Sequence, residues 1–546
     1  MQRRLFLGSV LGAAAAGMPL ARALAAAATA PAAGDLPAIR LGGGQTVLTR
    51  AAVKDFQASL RGPLLMPGED GYDRARQVWN GMIDRRPALI ARCSGATDVA
   101  RCVQFATAND LLVAVRSGGH STSGQSVCDG GLMIDLSGLR GVRVEPRARR
   151  AWVPAGSLLG ELDREAQFFG LATTAGTVSH TGAAGLTLGG GFGRLGRRFG
   201  LSCDNLVSVD VVTAGGQVVR ASRDENRELF WGLRGGGGNF GIATNFEYQL
   251  HEVGPTILGG PIIFPFERAR EVLDFFVEFT ARIPDELNLD CAIVAPPGGK
   301  PMVILEVCYS GDPATGEKVI APVRRFMKPL ADQVKAMPYL QLQSGGDEAN
   351  AAGRNYYVKS GFVEDPDPGL FDAMVAGFSP AAGRATVMLL QQLGGAIGRV
   401  RPDATAFNHR KARFDLLVLG GWADPARTAE HTAWIKGFWS GLESYTRGYY
   451  FNTTIGDSQE KVRANFGENY PRLVKLKNRY DPRNLFRLNA NVLPTVQEKM
   501  GSEKMGTDLF FPPGDPIHTG SAGKINLSPF FRARRRPPRS PRGSPG

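Results

Sequence analysis

Cysteine is scarce: six in 546 residues, at positions 93, 102, 128, 203, 291 and 308, with no C-x-x-C pair. No ligand cluster suggests zinc, so no metal site is expected, and the spacing selects no disulfide partners. The sequence also lacks GxxxxGK[ST], HExxH and GxSxG, whose joint absence removes the common phosphate-loop, zinc-protease and serine-hydrolase readings. Beyond the N-terminus no stretch reaches about 18 uninterrupted apolar residues, so no stable membrane span is expected. The 70 glycines follow no triplet period, which excludes collagen. Nor is the main body strongly basic. Most of the +13 formal charge sits in Arg3, Arg4 and Arg22 and in the arginine-rich end after residue 513, so no nucleic-acid partner is expected.

What is present is a long chain, 43% hydrophobic, whose length favours more than one domain. The first 30 residues, MQRRLFLGSVLGAAAAGMPLARALAAAATA, combine a basic start, a modest apolar run and small residues. That combination describes an export signal, and Arg3-Arg4 before Leu5-Phe6-Leu7 suggests the twin-arginine type, with a periplasmic or extracellular destination. Residues 513–546 read as a basic, proline-rich disordered tail. Between 86 and 250 strand runs (PALIARC, LLVAVRS, GLMIDLS, AWVPAG, LVSVDVVTA, ATNFEYQL) alternate with helical spacings (ATDVARCVQFATAND, SLLGELDREAQFFG). Between 255 and 440 longer helices alternate with MVILEVCYS, ATVMLLQQLG and FDLLVLGGW, as expected of a helix-covered sheet. Residues 441–495 add aromatic-rich sequence and one helix, QEKVRANFGENYPRLVKLKNRY, stopped at Asp481-Pro482. The fold class is α+β.

Two glycine-rich stretches invite a nucleotide. Gly191-Phe192-Gly193-Arg194-Leu195-Gly196 matches GxGxxG, with Asp210 near the distance of a ribose-binding acid. The context disagrees, because too many glycines and arginines surround the motif for a Rossmann helix and Asp210 falls in mid-strand. The other stretch, Arg116-Ser117-Gly118-Gly119-His120-Ser121, follows the strand LLVAV directly. Small residues there expose several backbone N–H groups on one turn, a nest suited to anionic oxygen, and His120 leaves that same turn. A plain tight turn with a hydrogen-bonded histidine fits these residues equally.

The ordered series RSGGHSTSGQS, GGLMIDLSGLRGV, WVPAG, TVSHTGAAGLTLGGGFGRLGRRFGLSCDNLVSVDVVTAGG and ELFWGLRGGGGNFGIAT resembles the FAD-binding domain of the vanillyl-alcohol-oxidase (PCMH-type) superfamily. More closely it resembles the berberine-bridge-enzyme-like FAD-linked oxidases. TAFNHR, Tyr450-Phe451-Asn452 and RYDPRNLFRLNANV agree, so that the resemblance covers about residues 80–495. It implies a PCMH-type FAD-binding domain at 80–253, a substrate domain at 254–440 with an antiparallel sheet covered by helices, and a C-terminal segment at 441–495 returning to the FAD domain. It further implies that His120 carries FAD covalently and that Ser117, Gly118, Gly119 and Ser121 cradle the pyrophosphate. Thr181, Gly182, Gly185, Gly189, Gly190 and Gly193 would line the cofactor, with Ile242 at the adenine end and Asn489 in the same pocket.

The sequence departs from that pattern in three places. Val178 stands where many relatives bear a second flavin-bonding cysteine, so a single covalent bond to His120 is expected. Thr181 occupies the position thought to gate oxygen, which leaves oxidase and dehydrogenase both open. The strand FDLLVLGGW is apolar apart from Asp415, so the carboxylate base some relatives carry there is expected to be missing. The implied reaction is oxidation of an alcohol or sugar hydroxyl by paired proton and hydride removal, with O2 or another electron acceptor. Tyr450 is the candidate base and Asn452 its orienter, with Tyr449 competing; His180 is a further proton-transfer candidate or a packing residue. A flavin- or sugar-binding protein without turnover is the alternative of another class.

Overall fold

The strands Leu89–Arg92 and Leu132–Asp135 are almost entirely buried, and a run apolar on both faces suits parallel pairing beneath crossover helices. Leu132–Asp135 lies parallel to Leu89–Arg92 on one side and to Val113–Arg116 on the other, and the helix Ala96–Ala108 connects the outer two. Leu64–Leu65 completes this four-stranded sheet as an antiparallel edge. A second sheet of five antiparallel strands runs in the order Val218–Ser222, Leu206–Val212, Ile242–Gln249, Arg150–Pro154, Arg143–Glu145. Between them lies one apolar core that includes Ile134, Val153, Val209 and Phe246. The computed structural model describes residues 34–453 and 458–495; the expected signal (1–30) and tail (513–546) lie outside these.

A third sheet has eight antiparallel strands. Its centre runs Thr256–Pro265, Met302–Tyr309, Leu287–Ala295, Arg384–Gln392, Phe414–Trp422, Asn355–Val363. Alternate residues of these strands, among them Cys291, Leu305, Leu390 and Val418, join Phe276, Phe371 and Ile435 of the covering helices Ala269–Thr280, Pro368–Gly377 and Thr428–Ser440 in a second core. The other face turns toward the first two sheets. The chain then crosses back, and Tyr450, Phe466, Leu473, Leu485 and Val492 bury themselves in the first core.

The single helix expected at 459–480 is two, Gln459–Phe466 and Tyr470–Tyr480. Gly467 adopts φ +49°, a left-handed conformation that ends the first helix, and Pro471 suits the first turn of the second because it has no N–H to leave unpaired.

Candidate active site

The site begins where the strand Val113–Arg116 ends. The Ser117 hydroxyl donates to the Ala155 carbonyl (2.6 Å), tying this loop to the five-stranded sheet. Beyond it the backbone N–H groups of Gly118, Gly119, His120 and Ser121 donate to no protein acceptor among the described residues. Consecutive unspent amides on one turn form an anion nest. A Cβ on Gly118 would lie 2.5 Å from the Gly182 Cα, and one on Gly182 would lie 2.6 Å from the Gly118 nitrogen. Backbone therefore meets backbone, a contact that a side chain on either residue would break. Gly119 has φ +70° and its carbonyl accepts from the Trp79 N–H (2.8 Å).

His120 leaves this turn between aromatic neighbours. Its ring stacks on Trp79 at 4.3 Å, Trp79 stacks on Tyr356 at 3.9 Å, and the His180 ring lies 5.1 Å away. Burial, reinforced by His180, pulls the His120 pKa down to about 3, so the imidazole is neutral. Nε2 of both histidines is buried without a hydrogen-bond partner. Sequence reasoning missed Trp79, Asn80 and Tyr356. Asn80 is fully used: its Nδ2 donates to the Thr122 and Tyr356 carbonyls (2.8 and 3.0 Å) and its Oδ1 accepts from the Tyr356 N–H (3.0 Å). It thereby fixes the strand Asn355–Val363 to the His120 loop. The only sequence signal was a Trp-Asn pair before Gly81 at a loop start.

Across the cleft, Asn452 Nδ2 donates both to the Leu186 carbonyl (3.1 Å) and to the Tyr450 hydroxyl oxygen (2.7 Å). A Cβ on Gly189 would fall 2.3 Å from the Asn452 amide, which explains one glycine of the run. The Tyr450 ring packs on Phe192 at 4.3 Å and nears Phe362 at 6.4 Å. Burial raises the Tyr450 pKa, the Asn452 donation opposes that, and the Asp415 carboxyl adds to it. Asp415 is itself fully buried, both its oxygens lack partners, and desolvation alone pushes its pKa up to about 8. In register it sits beside Phe362 and Gln391, on the face that meets Tyr450. The strand read as lacking a base thus presents a buried carboxyl, Asp415, of near-neutral proton affinity. Tyr449 is held differently, its N–H donating to Asn465 Oδ1 (2.8 Å).

The remaining candidates surround these two walls. Ser121 Oγ accepts from the Gln125 N–H (3.1 Å), and Gln125 Nε2 donates to the Asn489 carbonyl (3.4 Å), which brings the C-terminal ending to the loop. That ending is locked by Lys477, whose buried Nζ donates to Asp481 (2.8 Å) and to the Asn239 and Phe486 carbonyls (both 2.9 Å). The Asn489 Oδ1 is buried and unpartnered. Thr181 is half-buried, with its carbonyl accepting from Leu159 (2.9 Å); Gly185 is exposed, and Gly190 lies against Phe407. Gly193 abuts the Ala175 carbonyl, and Ile242 is buried at the start of its strand opposite Val212. The GxGxxG segment opens only the short helix Gly196–Phe199, and Asp210 pairs in mid-sheet with Asn245, so neither builds a Rossmann site.

With this geometry in place, comparison with known proteins gives concordant results. Residues 87–222 match the family described as FAD binding domain, and residues 449–493 the one described as berberine and berberine like. The chain is 30% identical over 447 residues to an FAD-linked oxidoreductase of Dictyostelium discoideum, covering 81% of this chain and 97% of the relative. It is 30% identical over 456 residues to (R)-6-hydroxynicotine oxidase of Paenarthrobacter nicotinovorans, covering 80% and 97%. Among solved structures, 6-hydroxy-D-nicotine oxidase of Arthrobacter nicotinovorans superposes with a TM-score of 0.74 at 29% identity, covering 80% of this chain and 98% of that one. Chitooligosaccharide oxidase superposes with a TM-score of 0.73 at 25% identity, covering 81% and 99%.

Proposed function

Since the chain belongs to the berberine-bridge-type FAD-linked oxidoreductases, we propose that it oxidises an alcohol, holding FAD through one covalent bond to His120 and passing electrons to O2. The residues present fit FAD. The unspent amides of 118–121 suit the pyrophosphate, the Gly118–Gly182 contact keeps the cradle free of side chains, and Asn489 offers a buried oxygen without a partner. The observation that carries the reading is His120, a neutral imidazole with a buried, unpartnered Nε2 at the lip of that nest. Val178 supplies no second bonding atom.

When bound, FAD supplies the acceptor for the hydride leaving the alcohol carbon. Tyr450 takes the hydroxyl proton. A buried phenol is a poor base by itself, and two neighbours change that. The Asn452 amide donates to the phenol oxygen and stabilises negative charge there, and the ionised Asp415 carboxylate receives the phenol's own proton as Tyr450 takes that of the substrate. His120 and Trp79 exclude water from the opposite wall. The half-buried Thr181 hydroxyl favours a second reading, a dehydrogenase with a non-oxygen acceptor. The Arg3-Arg4 signal supports export by the twin-arginine machinery, which cell fractionation tests.

Anaerobic mixing with alcohols tests the reaction: bleaching of the flavin colour is expected, and a flavin that stays oxidised with every alcohol overturns it. Oxygen uptake on readmitting air separates oxidase from dehydrogenase.

A further inference from the structure

The wall of the cleft opposite the glycine cradle belongs to the eight-stranded sheet, and its register shows what it offers a substrate. On the strand Asn355–Val363 the residues facing the cleft are fixed by contact: Tyr356 stacks on Trp79, Ser360 Oγ accepts from the Tyr450 N–H (3.3 Å), and Phe362 nears the Tyr450 ring. Pairing carries that face across the sheet. Beside Ser360 come Leu417, Leu389, Ala292 and Ile304 in turn; beside Val358 come Leu419 and Val387. These six are all partly accessible and belong to none of the buried cores, whereas their sequence neighbours Leu390, Val418 and Leu305 are sealed beneath helices. They form an open paraffin surface about 14 Å across, three strand spacings wide.

Polar side chains on this face begin one row further on, where the partly exposed Glu306, beside Asp290 in register, is paired with Arg194 (3.9 Å) and the others are closed to solvent. Asp415 and Gln391 are buried, and Asp290 Oδ1 accepts from the Gln392 N–H (2.8 Å) and from Asn288 Nδ2 (3.1 Å). The six accessible side chains of these two rows therefore offer a ligand no hydrogen bond, and Ser360, next to Tyr450, is buried and engaged with Thr453 (2.9 Å) and the Tyr450 N–H. A sugar ring laid here would lose water from several hydroxyls without replacement. An apolar body would lose only unfavourable apolar hydration.

Building on the alcohol-oxidising reading, we infer that the substrate is an apolar alcohol, an aromatic or alicyclic ring body carrying its reactive hydroxyl at the Tyr450 end, and not an oligosaccharide. The buried Trp79–Tyr356 stack lies at one end of the surface, beyond Val358 on the same strand face.

The test uses the flavin-loaded enzyme and three probes: 1-indanol, its ketone 1-indanone, and cellobiose. Flavin bleaching should be at least about 100-fold more efficient, as kcat/KM, with 1-indanol than with cellobiose, the discrimination that apolar pockets reach. Calorimetry should show 1-indanone binding the oxidised enzyme with a negative heat-capacity change. Leu389→Asn, with Leu417→Gln as a second variant, should weaken that binding by at least about 10-fold at unchanged flavin content. Bleaching by cellobiose and not by 1-indanol overturns the inference and leaves the alcohol-oxidising reading standing. Ketone binding without bleaching by either alcohol keeps the apolar wall and overturns the alcohol reading, and with it the inference. Unaltered ketone binding in both variants shows that this surface is not the substrate wall and overturns the inference.

Discussion

Asp415→Asn should make the enzyme more stable and less active at once. The Asp415 carboxyl titrates at the ordinary 3.8 in the unfolded chain and is pushed up to about 8 in the fold. At pH 7 folding must therefore protonate it, at about 1.4 kcal/mol for each pH unit above 3.8, or about 4 kcal/mol in all as an upper bound. The sign follows from the raised value. Below pH 3.8 both states are protonated and nothing is lost; stability then falls as pH rises toward 8 and is level above it. Asparagine has the shape of the neutral acid and does not ionise, so the variant escapes that loss. At roughly 1 °C per kcal/mol for a fold of this size, its melting temperature should exceed that of the wild type by up to about 4 °C at pH 7, with the gap closing toward pH 4. Thermal unfolding of flavin-matched samples from pH 4 to 8.5 measures this. The rate of flavin reduction should fall about 100-fold or more in the same variant, and the wild-type rate should rise with pH through about 8, as expected of a group that must be deprotonated to accept. Melting curves that coincide at every pH refute the reasoning, because they mean that the carboxyl is hydrated and ionised in the fold.

Tyr450→Phe should retain covalent flavin and lower the rate of its reduction by about 100- to 10,000-fold, measured by anaerobic stopped flow. Gly118→Ala places a methyl 2.5 Å from the Gly182 Cα, about 1 Å inside contact distance, and should cost about 1–3 kcal/mol and most of the bound flavin. Gly437→Ala, where a Cβ meets nothing within 4 Å, should lose neither stability nor flavin. Arg410→Met removes the guanidinium that donates to Asp204 Oδ1 and Oδ2 (2.8 and 2.6 Å), leaves the Leu201 N–H on Oδ2 (2.9 Å), and should destabilise by about 3–5 kcal/mol in denaturant titration with little change in substrate preference.

Much of this architecture is legible from local pattern. Strands such as Leu206–Val212 and Ile242–Gln249 are marked by β-branched and aromatic runs, and the helix Ala269–Thr280 by its apolar spacing. Thr256–Pro265 is not legible, because Gly259, Gly260 and two prolines hide a strand whose order comes from its neighbours. Asn355–Val363 is buried on both faces and so shows no alternation. At the site, His120 and the crowding of glycines stand out because a nest and close backbone contacts demand particular residues at particular places. Asp415 does not, since one acid in an apolar strand reveals its face only through register with Phe362. Trp79 and Tyr356 meet across 277 positions of sequence, a contact that no local pattern encodes. Arg410, noticed as part of TAFNHR, proves to be a strut to Asp204.

The central claim is that His120 alone carries the cofactor, and one measurement tests it most directly. The purified protein is precipitated with acid, and the pellet is digested and weighed by mass spectrometry. A yellow pellet with a single FAD on the peptide containing His120, lost in His120→Ala, is the expected result. A colourless wild-type pellet, or flavin attached at any other residue, contradicts the account.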